Sequence, residues 1–170
     1  MPATDDPVHK HLRRLERVWV DSPIYFITTC TFERRAILSS SDIAAILVQE
    51  WRTAHQRHGW AIGRYVIMPD HVHFFCRADL SPSPLQTFMQ KWKQWTSKRI
   101  GREIAVAGIG DPGLKERSTL WQEEFFDHVL RSSESYSQKW EYVKENPVRA
   151  GFVNKSDDWP FHGEIESLML

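Results

Sequence analysis

Apolar and polar positions alternate along the chain in patterns that predict its first two elements. Residues 23–32, PIYFITTCTF, are rich in aromatic and β-branched side chains, which favours a strand. A helix is predicted next, because Ser40 or Ser41 can cap its start and Gly59 can end it. Between these caps the apolar residues recur at helical spacing: Ile43, Ile46, Leu47, Trp51 and Ala54.

Two further strands follow this helix. Residues 60–68 and 71–78 both read as strands, and only Pro69 and Asp70 separate them. So short a connection predicts an antiparallel hairpin.

The second half of the chain predicts a second helix and a fourth strand. Ser83 can cap the helix and Pro84 can be its first residue. Residues 102–119 mix glycine, proline and charges and are expected to form a long loop, and LWQEEFFDHVL at 120–130 reads as a strand or a strand plus turn. The predicted buried face of the helix consists of Leu85, Phe88, Met89, Trp92 and Trp95, and we interpret both tryptophans as core and groove-filling residues rather than base-stacking ones.

The order β-α-β-β-α-β predicts an α+β fold of the ferredoxin-like, split βαβ type. Two helices would cover one face of an antiparallel sheet and leave the other open. A last helix, from the SESYSQKW segment to about Asn146, would lie near the open face, and Pro147 discourages its continuation. We expect one domain over residues 1–170, with a basic segment at 1–20 and a catalytic core at 21–160.

Composition narrows the function. The 170 residues carry 22 Lys and Arg against 22 Asp and Glu, so any nucleic-acid site must come from local clusters of charge. Cys30 and Cys76 lie in predicted strands, and neither has a neighbouring Cys or His at the spacing of a zinc finger. This argues against a structural zinc site or a disulfide framework. Because no apolar stretch approaches about 20 residues, we expect a cytoplasmic protein without a membrane span.

The strand at 71–78 contains two histidines on one face. Side chains alternate across a strand, so His71, His73 and Phe75 point one way while Val72 and Phe74 point the other. Such a pair suits a metal ion or a phosphate. Two hydrogen-bonded histidines on a half-exposed strand are the alternative, and the pair alone is weak evidence.

The last helix carries a tyrosine off its packing face. Its apolar stripe is Tyr136, Trp140 and Val143, and Tyr142 lies roughly 130° from the centre of that stripe at 100° per residue. Asn146 follows four residues later, on the same side. This arrangement resembles a nucleophile beside a metal ligand, although a surface tyrosine is the simpler interpretation of Tyr142 alone.

Three stretches together resemble the single-tyrosine HUH transposases, in particular the REP-associated tyrosine transposases of bacteria. They are MPDHVHFF, WQEEFFDHVLR and YVKENPVRAGFV, within a resemblance that spans about residues 25–159. The resemblance implies a metal site formed by His71, His73 and Asn146, which would hold one divalent cation, Mg²⁺ or Mn²⁺. It also implies that Tyr142 is the catalytic nucleophile.

By this resemblance the chain would cut and rejoin single-stranded DNA beside a hairpin through a 5′-phosphotyrosine. It would be a bacterial, nucleoid-associated enzyme. The sequence leaves both a monomer and a homodimer open, and the monomer is favoured over the homodimer. Candidate DNA contacts form two basic clusters that would flank the open face: Arg13, Arg14 and Arg17 in the N-terminal segment, and Lys91, Lys98 and Arg102 on one face of the second helix. The alternative is that the second cluster is only a solvated helix face, which is the usual explanation of an isolated run of charges.

Two other functions stay open at this point. A non-catalytic, domesticated hairpin-binding protein would keep the fold and the basic surface, but it would need none of His71, His73, Tyr142 and Asn146. A metallohydrolase without a covalent step would need further carboxylate or histidine ligands, and the sequence offers none at clear spacing.

Overall fold

Five antiparallel strands form one sheet in the order β4-β1-β3-β2-β5. The computed structural model describes residues 23–79, 81–108 and 120–168. The strands are β1 (Ile24–Cys30), β2 (Trp60–Ile67), β3 (His71–Ala78), β4 (Phe126–Leu130) and β5 (His162–Glu164). The helices are α1 (Ser41–His58), α2 (Leu85–Val106), α3 (Ser133–Lys144) and the single turn α4 (Asn146–Arg149). The first four strands with α1 and α2 follow the predicted order, so the predicted fold class is confirmed.

Helix α1 has the caps that its sequence predicts. The Ser40 hydroxyl accepts a hydrogen bond from the Ile43 N–H at 3.3 Å. Gly59 ends the helix with φ 72°, and a Cβ there would lie 2.8 Å from the Pro82 Cα, so both conformation and space require glycine. All five predicted stripe residues are buried, in the core between the helices and the sheet.

The predicted start of α2 is off by one residue and its predicted end by a few. The helix begins after Pro84 without a side-chain cap, because the Ser83 hydroxyl instead donates to the His58 carbonyl at 3.2 Å. The helix also continues to Val106, so the predicted loop at 102–119 starts too early. Burial of Ile104 extends the packed row by one more turn and stabilises helix where the composition suggested loop. Residues 109–119 lie outside the described part of the chain.

Trp95 does not belong to the buried face of α2. It is 48% exposed, whereas Trp92 is 2% exposed, and the buried row continues through Thr96 and Ile100. Each four-residue step turns 400° and so moves the row 40° around the helix, which leaves Trp95 beside it. Of the two tryptophans that were predicted to lie in the core, only Trp92 does so.

Trp51 and Trp92 provide a test of this packing. Their rings stack at 5.6 Å between centroids with planes 6° apart, and Trp51 is fully buried. We expect Trp51→Ala to lower the free energy of unfolding by about 3–5 kcal/mol, because it leaves a large cavity. The exposed Trp95→Ala is the matched control and should cost less than about 1 kcal/mol. Urea unfolding compares them, and equal losses would contradict the assigned faces.

A second core lies on the other face of the sheet. The predicted stripe of α3 is buried there, with the Tyr136 ring 4.9 Å from the Phe75 ring between centroids. This face is therefore only partly open. Pro147 stands in the first turn of α4, where a missing N–H leaves no hydrogen bond unmade. None of the described helices is long and apolar enough to cross a membrane.

The predicted fourth strand is shorter than LWQEEFFDHVL. Only Phe126–Leu130 forms β4, which pairs with β1 at the edge of the sheet. Trp121 makes one isolated bridge with Thr31, and the residues between Trp121 and Phe126 form no strand. The strand-plus-turn alternative describes this segment better.

Candidate active site

Strand register places both histidines of β3 on the sheet face that α3 covers. Val72 and Phe74 point into the core under α1 and α2, and Phe75 points into the core under α3, as the alternation predicts. In the adjacent strand β1, Thr28 is the cross-strand partner of His73 and Cys30 is that of His71.

Asn146 approaches both imidazoles from the start of α4. Its Nδ2 lies 2.9 Å from the His73 Nε2 and 3.4 Å from the His71 Nε2. The two imidazole rings are 4.8 Å apart between centroids, with planes at 81°. Three side chains from two elements, separated by more than 70 residues of sequence, therefore converge on one point.

The opposite nitrogen of each imidazole has its own partner. His71 Nδ1 lies 2.7 Å from the Asp70 Oδ1, and His73 Nδ1 lies 2.8 Å from the Thr28 Oγ1. Asp70 is held in turn by Arg34, whose Nε lies 2.9 Å from the Asp70 Oδ2. In the neutral tautomers that donate from Nδ1, both Nε2 lone pairs face Asn146, and such outer hydrogen bonds are typical of metal-binding histidines.

The electrostatics of the site favour a neutral His73. Burial, together with the smaller effect of the charges of His71, Lys139, Arg149 and Arg34, lowers the pKa of His73 to about 3. An imidazole must be neutral at the nitrogen with which it binds a metal, so His73 is available as a ligand over the physiological pH range.

Asp70 is kept ionised beside the histidines. Burial acts to raise the pKa of Asp70, but the hydrogen bond from His71 and the charges of His71 and Arg34 outweigh it, so the pKa lies below its usual value. An ionised Asp70 holds the Nδ1 proton of His71 and so fixes the orientation of that ring.

Tyr142 is 61% exposed, as its position off the stripe of α3 predicts. The Arg149 Cζ lies 4.1 Å from its ring centroid and the Lys139 Nζ 5.6 Å from it. Lys139 also lies 4.6 Å from the Phe26 ring, which stacks on His73 at 5.4 Å between centroids. A continuous set of contacts thus joins the tyrosine to the histidine pair.

Comparison with known proteins assigns the chain to a family. The sequence profile described as "Transposase IS200 like" matches residues 20–146, well over half of the chain. The chain belongs to the IS200-like transposase family. The predicted resemblance is confirmed, and since transposases nick and join DNA, the chain is assigned to that class of enzyme.

Named relatives and solved structures agree with this assignment. The transposase is 27% identical over 145 residues to the REP-associated tyrosine transposase of Escherichia coli strain K12, covering 85% of this chain and 78% of that protein. Its fold is similar to a REP-associated tyrosine transposase solved with a REP hairpin, with TM-score 0.61, 19% identity, and coverage of 83% and 76% of the two chains. A Deinococcus radiodurans structure has TM-score 0.52 at 20% identity, with coverage of 72% and 88%.

Of the predicted DNA-contacting residues of the transposase, those on α2 are not at this site. Arg13, Arg14 and Arg17 lie outside the described residues. Lys91, Lys98 and Arg102 are exposed along α2, which packs on the sheet face opposite the imidazoles, so they do not flank the site as predicted. Lys98 lines a cavity of about 590 Å³ between α2 and the segment around Trp121. Their role as DNA contacts stays a prediction.

Four residues of the site were missed by sequence reasoning. They are Thr28, Asp70, Lys139 and Arg149. Asp70 adjoins the His-x-His motif and Thr28 lies in the paired strand, so the predicted hairpin and register could have pointed to both. Lys139 stands three residues before Tyr142 and Arg149 seven residues after it, but nothing in the spacing alone distinguishes them from solvated charges.

Proposed function

We propose that this transposase cleaves and rejoins single-stranded DNA beside a hairpin, with Tyr142 as the nucleophile and one divalent cation held by His71, His73 and Asn146. One observation carries the proposal: two imidazole Nε2 atoms and an amide meet within 3.4 Å, beside the helix that presents an exposed tyrosine. Hydrogen-bonded structural histidines would not require either the tyrosine or the amide.

The residues at this point fit a metal ion. Both Nδ1 atoms are engaged, so both Nε2 lone pairs are free to bind a cation, and rotating the Asn146 amide presents its oxygen in place of Nδ2. No group of three or more His, Cys, Asp or Glu in the described residues is arranged as a metal site, so the Asn146 amide would be the third protein donor beside the two imidazoles. When bound, the ion would polarise the scissile phosphate and offset its developing charge. Nitrogen ligands accept manganese as well as magnesium.

The covalent step is a transesterification by the chain's own tyrosine. The Tyr142 oxygen attacks the phosphorus in line, the bond from phosphorus to the 3′-oxygen breaks, and that oxygen leaves with a proton as a free 3′-hydroxyl. The phenolic proton is lost to solvent, and the 5′-phosphate stays on the tyrosine. Because one ester replaces another, the 3′-hydroxyl can reverse the step without an external energy source.

The substrate class follows from relatives. One structure with this fold holds a REP hairpin, and the E. coli relative is named REP-associated. We propose that this chain also binds hairpin DNA and that it acts as a single-domain monomer. Lys91, Lys98 and Arg102 would then contact DNA that passes around to the α2 side.

A denaturing gel tests the proposed chemistry. The full chain is incubated with Mn²⁺ and a single-stranded hairpin oligonucleotide labelled at either end. A protein–DNA adduct that keeps the 3′ label and loses the 5′ label supports a 5′-phosphotyrosine. Hairpin binding without an adduct in the presence of either Mn²⁺ or Mg²⁺ would instead favour the non-catalytic hairpin-binding protein.

Thr28 gives a test of the proposed metal site in which no proposed metal ligand is replaced. Thr28→Val keeps the shape but removes the hydroxyl that lies 2.8 Å from the His73 Nδ1. We expect Mn²⁺ affinity to fall about 10–100-fold, because the ring loses its fixed tautomer and orientation. Calorimetric titration with Mn²⁺ measures this. Thr53→Val, on α1, removes a hydroxyl that donates only to the Glu50 carbonyl and is the matched control; equal affinities in the two variants would contradict the role of Thr28.

A further inference from the structure

Two cations beside Tyr142 have no anionic partner in the part of the chain that the structure describes. Lys139 and Arg149 form no ion pair with a carboxylate of the described residues. Neighbouring cations are neutralised: Arg34 pairs with Asp70 at 2.9 Å, and Lys144, on the same helix as Lys139, pairs with Asp157 at 3.1 Å. Among the described residues, positive charge is thus left uncompensated beside Tyr142, although the formal net charge of the chain is zero.

Both cations are held by aromatic rings. Lys139 lies over Phe26 and near Tyr142, and Arg149 lies 4.1 Å from the Tyr142 ring centroid. Each such contact is only weakly stabilising, while two like charges near one ring repel each other. An anion between them would relieve this repulsion, and local charge conflicts of this kind are typical of functional sites.

The position of the pair indicates which anion. Arg149 shares the single turn α4 with Asn146, and Lys139 is separated from His73 only by the Phe26 ring. An anion that contacts both cations would lie between the tyrosine and the imidazole pair. Guanidinium and ammonium groups are the side chains that bind phosphate oxygens most strongly.

We propose that Lys139 and Arg149 form a phosphate-binding pair that holds a backbone phosphodiester of single-stranded DNA beside Tyr142. This rests on the proposed function for its ligand, but it assigns a DNA contact at the site itself, where the cluster on α2 cannot reach. Lys139 and Arg149 here bind and position the strand and take no part in bond making.

Salt dependence of binding tests the pair. Binding of an unstructured single-stranded oligonucleotide and of a hairpin is measured over a salt series, without divalent metal so that no cleavage intervenes. Each lost phosphate contact on single strands reduces the magnitude of the negative slope of log affinity against log salt by about 0.7, so Lys139→Ala with Arg149→Ala should flatten it by about 1.4. Each single variant should bind about tenfold more weakly at low salt.

Three variants make the result specific. Lys144→Ala removes an equal but ion-paired charge from α3 and should keep the wild-type slope. Arg149→Lys keeps the charge and should restore the slope, which a purely structural role of the guanidinium would not predict. Neutralising Lys91, Lys98 and Arg102 should flatten the slope on the hairpin by roughly 2–3 if all three contact phosphates, and leave it unchanged if that face is only solvated.

The outcomes separate this pair from the proposed chemistry. A double variant with wild-type slope and affinity overturns the phosphate-binding pair, even if the wild type forms covalent adducts. A wild type that forms no adduct overturns the proposed chemistry. A flatter salt dependence of DNA binding in the double variant would still support the pair. Thermal melting followed by circular dichroism shows whether each variant is folded, so that a weaker salt dependence of DNA binding is not caused by unfolding.

Discussion

Tyr142→Phe is expected to lower covalent adduct formation by at least about 10³-fold while hairpin DNA binding stays within a few fold of wild type. The change removes one oxygen, the proposed nucleophile, from a side chain that is 61% exposed and lies outside both cores. Stability should therefore barely change. Denaturing gels measure the adduct, and fluorescence anisotropy with a labelled hairpin measures binding.

The other tyrosines provide the controls. The chain has four, and burial raises the pKa of Tyr25, Tyr65 and Tyr136 above the usual value, which makes each a poorer nucleophile near neutral pH. Tyr136→Phe, on the same helix, should keep full adduct formation. Adducts in Tyr142→Phe at the wild-type rate would mean that another residue attacks, and Tyr142 would lose its assigned role.

Removal of either histidine should have the second large effect. We expect His71→Ala and His73→Ala each to abolish detectable cleavage and Mn²⁺ binding. Each variant deletes one of the two imidazole Nε2 atoms that meet Asn146. Asn146→Ala should weaken both less, since a neutral amide oxygen is a weaker ligand than an imidazole. Isothermal calorimetry with Mn²⁺ gives the order of affinities and the gel assay gives the order of activities.

A remote histidine controls for loss of imidazole in general. His55 lies on α1 and contacts Asp79 at 2.8 Å and Glu166 at 3.1 Å, away from the proposed site. His55→Ala should keep Mn²⁺ affinity and cleavage. If the variant lacking both His71 and His73 bound Mn²⁺ as the wild type does, the metal site proposed here would be wrong.

Features that depend on short-range periodicity could be predicted from the sequence. The faces of β3 follow from the two-residue repeat of a strand, and the buried stripe of α3 follows from the helical repeat, which also places Tyr142 outside the core. Ser40 and Gly59 bound α1 because capping chemistry is local. The same reasoning failed for Trp95, because a row of side chains drifts around a helix 22 residues long and only the partner's position decides which residues stay covered.

The sequence therefore predicted the fold class and the motif residues of its resemblance, His71, His73, Tyr142 and Asn146. The surroundings of these residues depend on the tertiary structure. Thr28 meets His73 across 45 residues of sequence and Asn146 meets it across 73, and contacts at such separations depend on strand pairing and on how α3 lies over the sheet. The same packing puts α2 and its basic residues on the opposite face of the sheet. It also brings Lys139 to Phe26 and Arg149 to Tyr142, because these contacts depend on how β1, α3 and α4 are arranged, whereas Lys139 and Tyr142 are neighbours through the three-residue spacing of one helix.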